Sequence, residues 1–153
     1  MRFFETKKSD DYTIIIGCGR LGSSLANTLS DKGGNVLIMD KNKDSFRRLS
    51  PDFGGLAVVA DGTDFSALEE AQIQNASVVV AVSNNDNINI MVAQIARDVF
   101  HVDRVIARLY DPERECVYKE FNIDTICPAV LSAQAIDDLL HVSGDDTAET
   151  EVR

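Results

Sequence analysis

A β-branched run, Tyr12-Thr-Ile-Ile-Ile16, passes directly into Gly17-Cys-Gly19-Arg-Leu-Gly22 and then into a helix-period segment from Leu21 to Lys32. The string G-x-G-x-x-G is weak alone. Between a strand and a helix it restricts the chain to few folds. Gly17 permits a tight turn, Gly19 lets the backbone approach a pyrophosphate, and Gly22 lets the helix pack close to the strand. The helix N-terminus then offers free N–H groups and a partial positive charge to phosphate. The competing reading is three turn glycines without a ligand.

The rest of the chain repeats the pattern. Strands are expected at Val36–Met39, Leu56–Ala60, Val78–Val82, Val105–Leu109 and Thr125–Ile126. Helices are expected over Asp44–Leu49, from Thr63 or Asp64 to Ala71, over Asn87–Val99, from Pro112 to Phe121, and over Val130–Leu140. The strands are continuous apolar runs, which fits a parallel sheet covered on both faces. Six strand–helix units give an α/β fold, a doubly wound parallel sheet of six strands, the Rossmann architecture. One domain over residues 12–142 is expected, with an N-terminal extension over 1–11. The last 17 residues hold six acids against Arg153, so residues 143–153 are expected to be an acidic, disordered tail.

Composition excludes several classes. The 153 residues are 44% hydrophobic and carry a net charge of −10, enough for a core and too acidic, with no basic stripe, for a nucleic-acid surface. The apolar run Val78–Val82 is far short of a membrane span. The segment MRFFETKKSDD has no apolar core, so no signal peptide and a cytosolic protein are expected. Cys18, Cys116 and Cys127 are widely spaced without a C-x-x-C, and His101 and His141 lie near none of them. Reduced thiols and no metal site are expected.

The ends of the expected strands carry the candidate binding residues. Gly17, Cys18, Gly19, Arg20, Leu21 and Gly22 form the loop, with Cys18 read as a small spacer rather than a redox sensor. Asp40 ends the second strand, where a carboxylate can accept from both ribose hydroxyls and would repel a 2′-phosphate. It could instead cap the next helix. Lys41 follows it in the same site, whereas Arg47 and Arg48 are read as solvated. Asp61, Gly62 and Thr63 leave the third strand, placed either to read an adenine edge or to form a turn and cap. Ser83, Asn84 and Asn85 leave the fourth strand, where polar side chains contact ribose or phosphate, or where Asn85 or Asp86 caps a helix. Arg108 lies inside an apolar run and needs an anionic partner. That partner is either a ligand phosphate or an internal acid such as Asp111. Arg20 opposes the dipole of the helix it opens, which a bound phosphate would offset; a nearby acid is the alternative partner.

The set IIIGCGRLG, MDK, VVADGTD, AVSNNDNINI, VIARLYDP and CPAV resembles the RCK domain, also called KTN or TrkA-N, over about Tyr12 to Leu140. Such domains are cytosolic regulatory subunits of bacterial Trk- and Ktr-type potassium uptake systems. The resemblance implies a dimer, or a ring of dimers, beneath an integral-membrane potassium channel or transporter at the inner face of the cell membrane. It implies an adenine nucleotide: NAD+ or NADH in Trk-like members, ATP or ADP in Ktr-like ones, with AMP a further candidate. The nucleotide would change the dimer angle and so the gate, and Arg20 matches a loop arginine that reaches a terminal phosphate. Members commonly carry a second lobe after the last helix, so this chain resembles the N-terminal lobe.

An NAD-dependent oxidoreductase is the alternative. The nucleotide domain uses up the chain, and Tyr118 and Lys119 are adjacent rather than spaced as Tyr-x-x-x-Lys, so no catalysis is expected. The last helix is apolar nearly all round, at Val130, Leu131, Ala133, Ala135, Ile136, Leu139 and Leu140. One face is expected on its own sheet and the other against a partner subunit, with burial of both faces within the domain as the alternative.

Overall fold

The computed structural model describes residues 11–145. Six strands form one sheet: β1 (Tyr12–Ile16), β2 (Asn35–Asp40), β3 (Leu56–Val59), β4 (Val78–Ala81), β5 (Arg104–Arg108) and β6 (Asp124–Ile126). Their order is β3-β2-β1-β4-β5-β6 and every pairing is parallel. The expected doubly wound sheet is therefore present. The order reverses between β1 and β4, and at such a switch point the connections leave in opposite directions and open a crevice at the strands' carboxyl ends.

Among the described residues four α-helices lie between strands, α1 (Arg20–Asp31), α2 (Phe65–Glu70), α3 (Asp86–Gln94) and α4 (Glu115–Lys119), and α5 (Pro128–Asp145) follows β6. Alternate strand residues point to opposite faces, and both faces are buried in the central strands β1, β2 and β4, whereas the edge strands β3 and β6 are largely exposed, unlike the fully covered sheet expected. Ile14, Ile16, Met39 and Val79 pack with Leu68 and Val92 on the α2–α3 side. Ile15, Ile38 and Val80 pack with Ala26 on the α1 side.

Several elements differ from expectation. The segment after β2 is a 3-10 helix, Lys43–Arg48, rather than an α-helix. Helix α3 ends in a π-helical stretch, Ile95–Val99. Helix α5 runs to Asp145, through Gly144 and past the Ser143 where a tail was expected. Residues 1–10 and 146–153, which hold nearly all of the expected extension and most of the expected tail, lie outside the described residues. The apolar residues of α5 are not covered by its own sheet: Val130, Leu131, Ile136, Leu139, Leu140 and Val142 are all at least 50% exposed. Among the described residues no helix is long and apolar enough to cross a membrane.

Candidate functional site

The glycine loop is shaped by what its side chains lack. Gly17 has φ +107°, and a Cβ there would lie 2.8 Å from the Ser83 nitrogen. A Cβ on Gly22 would collide with the Gly17 carbonyl oxygen. A Cβ on Gly19 would meet only Asn84 Oδ1, at 3.9 Å, so open space lies in front of this residue. Gly19 is the N-cap of α1, with no side-chain cap and no acid in the first turn. The first N–H groups of α1 thus lack a side-chain acceptor and carry the positive end of the helix dipole. An uncapped helix end over open space suits a nucleotide phosphate.

Asp40 ties this loop to β2. Its Oδ2 accepts from the Cys18 N–H at 2.8 Å and its Oδ1 from the Asn42 N–H at 2.8 Å. It does not cap the next helix; Asn42 does, accepting from the Asp44 N–H at 3.0 Å. Each carboxylate oxygen has a second lone pair to offer a ligand hydroxyl. Cys18 is fully buried, and its thiol donates to the Ser45 carbonyl. Burial pushes that thiol up, and the Asp40 charge adds to the effect against a smaller opposing pull from Arg48. A buried thiol held protonated is unreactive, as the spacer reading requires.

A cavity of about 660 Å³ opens here, within the size range of small-molecule sites. Gly17, Cys18 and Gly19 line it from the loop, and Asp40 and Lys41 from the end of β2. Asp61 and Gly62 line it beyond β3, and Ser83, Asn84 and Asn85 beyond β4. Arg20, Leu21, Gly22, Thr63 and Arg108 are not among its lining residues. Gly22 is a buried residue of α1 packed on the Gly17 carbonyl, Leu21 is 36% exposed, and Thr63 is spent on Asp61. Arg20 is exposed, and among the described residues its guanidinium has neither the acid partner weighed for it nor any other.

Asp61 is held below the ordinary carboxylate range. The Thr63 N–H and hydroxyl, at 2.9 and 2.7 Å, are the main cause, and Lys41 at 3.2 Å adds to it. The turn reading of Asp61 and Thr63 is therefore realised, with Asp64 as the cap of α2. Asn85 caps α3, accepting from Asn87 and Ile88 N–H. Asp86 instead accepts from the Tyr110 and Asp111 N–H groups beyond β5.

Arg108 does not find the internal acid weighed for it. Asp111 caps the turn at Pro112–Arg114 and pairs with Arg114 at 3.7 Å. The Arg108 Nη2 donates instead to the Ser83 carbonyl (2.8 Å), Asn84 Oδ1 (3.2 Å) and the Tyr110 hydroxyl (3.1 Å). The sequence reading also passed over four contributors. Asn42, Ser45 and Arg48 line the cavity beside Asp40. Arg48 is brought there when the 3-10 segment docks on α1 through Asn27, a tertiary contact without local signal. The fourth is Asn89, fully buried on α3. Its Oδ1 accepts from the Ser83 N–H and hydroxyl, and its Nδ2 donates to the Ser83 and Arg108 carbonyls. It fixes the turn that forms one cavity wall. The asparagine-rich run at the start of α3 was the available signal.

The TrkA-N domain family model matches residues 13–128. The Trk system potassium uptake protein TrkA of Streptomyces coelicolor is 45% identical over 115 residues, covering 75% of this chain and 52% of that protein. The chain thus spans about half the length of that relative. The GsuK channel bound to NAD is similar with a TM-score of 0.74 and 25% identity, over 89% of this chain and 24% of that one. GsuK bound to ADP gives 0.73 and 26%, over 88% and 35%. A parallel sheet with its glycine loop, cavity and matching sequence over most of its length leaves one assignment: the chain belongs to the TrkA-N domain family.

Proposed function

We propose that this chain is the nucleotide-binding regulatory part of a potassium uptake system. It takes an adenine nucleotide in the cavity between the glycine loop, Asp40 and Asn84. The candidates are NAD+, NADH, AMP, ADP and ATP. The observation that carries the reading is the uncapped start of α1 opening onto a cavity that Asp40, bonded to the same loop, also lines. The α1 N–H groups and Gly19 would hold phosphate oxygens. Asp40 would accept from the ribose hydroxyls while keeping the loop in place through Cys18. The names of the relatives support the physiological setting, and a relative crystallised with NAD or ADP supports the ligand class.

The chain itself supplies binding and a change of shape; the ion path belongs to an integral-membrane partner. The reading has this chain at the cytoplasmic face, paired with a second copy through α5, and the bound nucleotide altering the dimer angle that sets the gate. Catalysis forms no part of it. Isothermal calorimetry with the five nucleotides is the test. Saturable heat is expected for at least one of them. No heat with any of them would overturn the reading.

A further inference from the structure

The first turn of α3 is held on two sides. On one side it belongs to the cavity: Asn85 and Ile88 line it, together with Ser83 and Asn84 of the preceding turn. The Ser83 hydroxyl donates to Asn89 Oδ1 at 2.7 Å and lies 3.3 Å from both the N–H and the carbonyl of Asn85, so its contacts go to the cap and first turn of this helix. On the other side the same turn grips the segment that leaves β5. Asp86 accepts from the Tyr110 N–H at 2.9 Å and from the Asp111 N–H at 3.3 Å. Asn87 Oδ1 accepts from Arg114 Nη1 at 3.1 Å, and Asn89 Nδ2 donates to the Arg108 carbonyl at 3.0 Å. None of the residues 108–121 lines the cavity.

Asn89 makes the link stiff. It is fully buried, and two bonds on Oδ1 and two on Nδ2 use its whole hydrogen-bonding capacity. A shift that broke one of them would leave a polar group buried without a partner, which costs more than the bond itself contributes. The turn after β4, the first turn of α3 and the chain beyond β5 therefore move together. The segment they place is a surface one: Tyr110 is 54% exposed, and the chain continues through α4 to Phe121, 40% exposed.

Resting on the nucleotide reading above, we propose that Asp86 is a positioning residue: through the first turn of α3 it couples occupancy of the cavity to the β5–α4 segment, residues 109–121. A ligand that contacts Ser83, Asn84 or Asn85 acts on that turn, and the Asp86 carboxylate passes the displacement to the Tyr110 and Asp111 N–H groups. Bonds to a carboxylate are roughly twice as strong as neutral ones, which suits a link that must transmit rather than yield. Such coupling is reciprocal, so whatever engages residues 109–121 changes the affinity for the nucleotide by the same factor.

The test is amide hydrogen exchange, first without ligand. Ser83→Ala removes the hydroxyl that holds Asn85 and Asn89, and it is expected to speed exchange at the Tyr110 and Asp111 amides about threefold or more. Unchanged exchange there overturns the proposal, as does an equal rise at Leu37 and Ile38 of β2, which marks general destabilisation. With ADP or NAD+ at saturation, exchange over residues 112–121 of the wild type is expected to slow about threefold or more. The donors to Asp86 are Tyr110 and Asp111, so exchange over 112–121 reads transmission rather than a lost bond. Asp86→Ala is expected to bind the same nucleotide with a Kd within about fivefold of the wild type, and to lose the slowing. Asp86→Asn, which keeps one acceptor oxygen, is expected to retain part of it. Slowing that persists in Asp86→Ala, or bound nucleotide without slowing in the wild type, overturns the proposal. Loss of binding in Asp86→Ala also overturns it, by placing the residue in the site itself. Wild-type protein that binds neither nucleotide counts against the nucleotide reading, while the Ser83→Ala comparison still decides whether the cavity wall and the β5–α4 segment are coupled.

Discussion

Gly19 and Gly22 are three residues apart, yet a methyl group added to each would meet different surroundings. The Gly19 Cβ position is open, so Gly19→Val is expected to leave the circular dichroism spectrum unchanged and abolish nucleotide binding in calorimetry. Gly22→Ala drives a Cβ into the Gly17 carbonyl, which is backbone and cannot rotate away. Overpacking of this kind costs about 1–3 kcal/mol, so a lower denaturant midpoint is expected. Retained affinity in Gly19→Val would place the phosphate elsewhere. Asp40 supports a second prediction. Its two oxygens can accept ribose hydroxyls and repel a 2′-phosphate, so NADH should bind more tightly than NADPH. Equal affinities in parallel titrations would remove the ribose assignment. Asp61 supports a third. Its folded pKa lies below the unfolded value, chiefly through the Thr63 bonds, so its contribution to stability is present above the ordinary Asp pKa and is lost as pH falls through the folded value. Asp61→Asn should flatten that acid limb of a Tm-against-pH curve. The step is small because the side chain is 40% exposed and screened by solvent. A curve with the same slope in both proteins would refute it.

At the scale of elements, α5 stands apart. Strands β1, β2 and β4 were legible because both faces are buried and their sequences are apolar without alternation. The glycine loop was legible because a strand, three spaced glycines and a helix follow one another without a gap. Arg48 is exposed, as read, but its place at the cavity was not legible, because the 3-10 segment reaches it by docking on α1, which no local pattern encodes. The acceptors of Arg108 were illegible for a related reason: a backbone carbonyl, an amide and a phenol replaced the carboxylate that charge alone suggested. Helix α5 was read correctly as apolar all round and wrongly as docked on its own sheet. Leu139 and Leu140 are 69% and 67% exposed. Apolar surface of this kind marks an interaction site, and a second copy is the proposed cover. Sedimentation of the wild type at micromolar concentration should show a dimer, and Leu139→Asp with Leu140→Asp should shift it to monomer. A wild-type monomer under those conditions would count decisively against it.

At the scale of the whole molecule, the cavity wall and the sheet are one object. The loop after β1 is pinned by Asp40 of β2, and the turn after β4 is pinned by Asn89 of α3. A ligand bridging them therefore binds the folded chain and has nothing comparable to bind in the unfolded one. Ligand at about a hundred times its Kd adds about 2.7 kcal/mol. A rise of several degrees in Tm is expected with the preferred nucleotide, and no rise with any of the five would contradict the proposed site. The strand order has a further consequence, in time rather than in energy. Strand β1 lies at the centre of the sheet, yet one of its two neighbours is β4, so Thr13 must wait for Val78. During synthesis the β1–β2–β3 half can assemble first, leaving the Ile14–Ile16 edge unpaired until β4 emerges. Non-local parallel pairing is slow, and an unpaired apolar edge recruits other chains. Newborn copies of this protein are therefore most prone to aggregate in the interval between the third strand and the fourth.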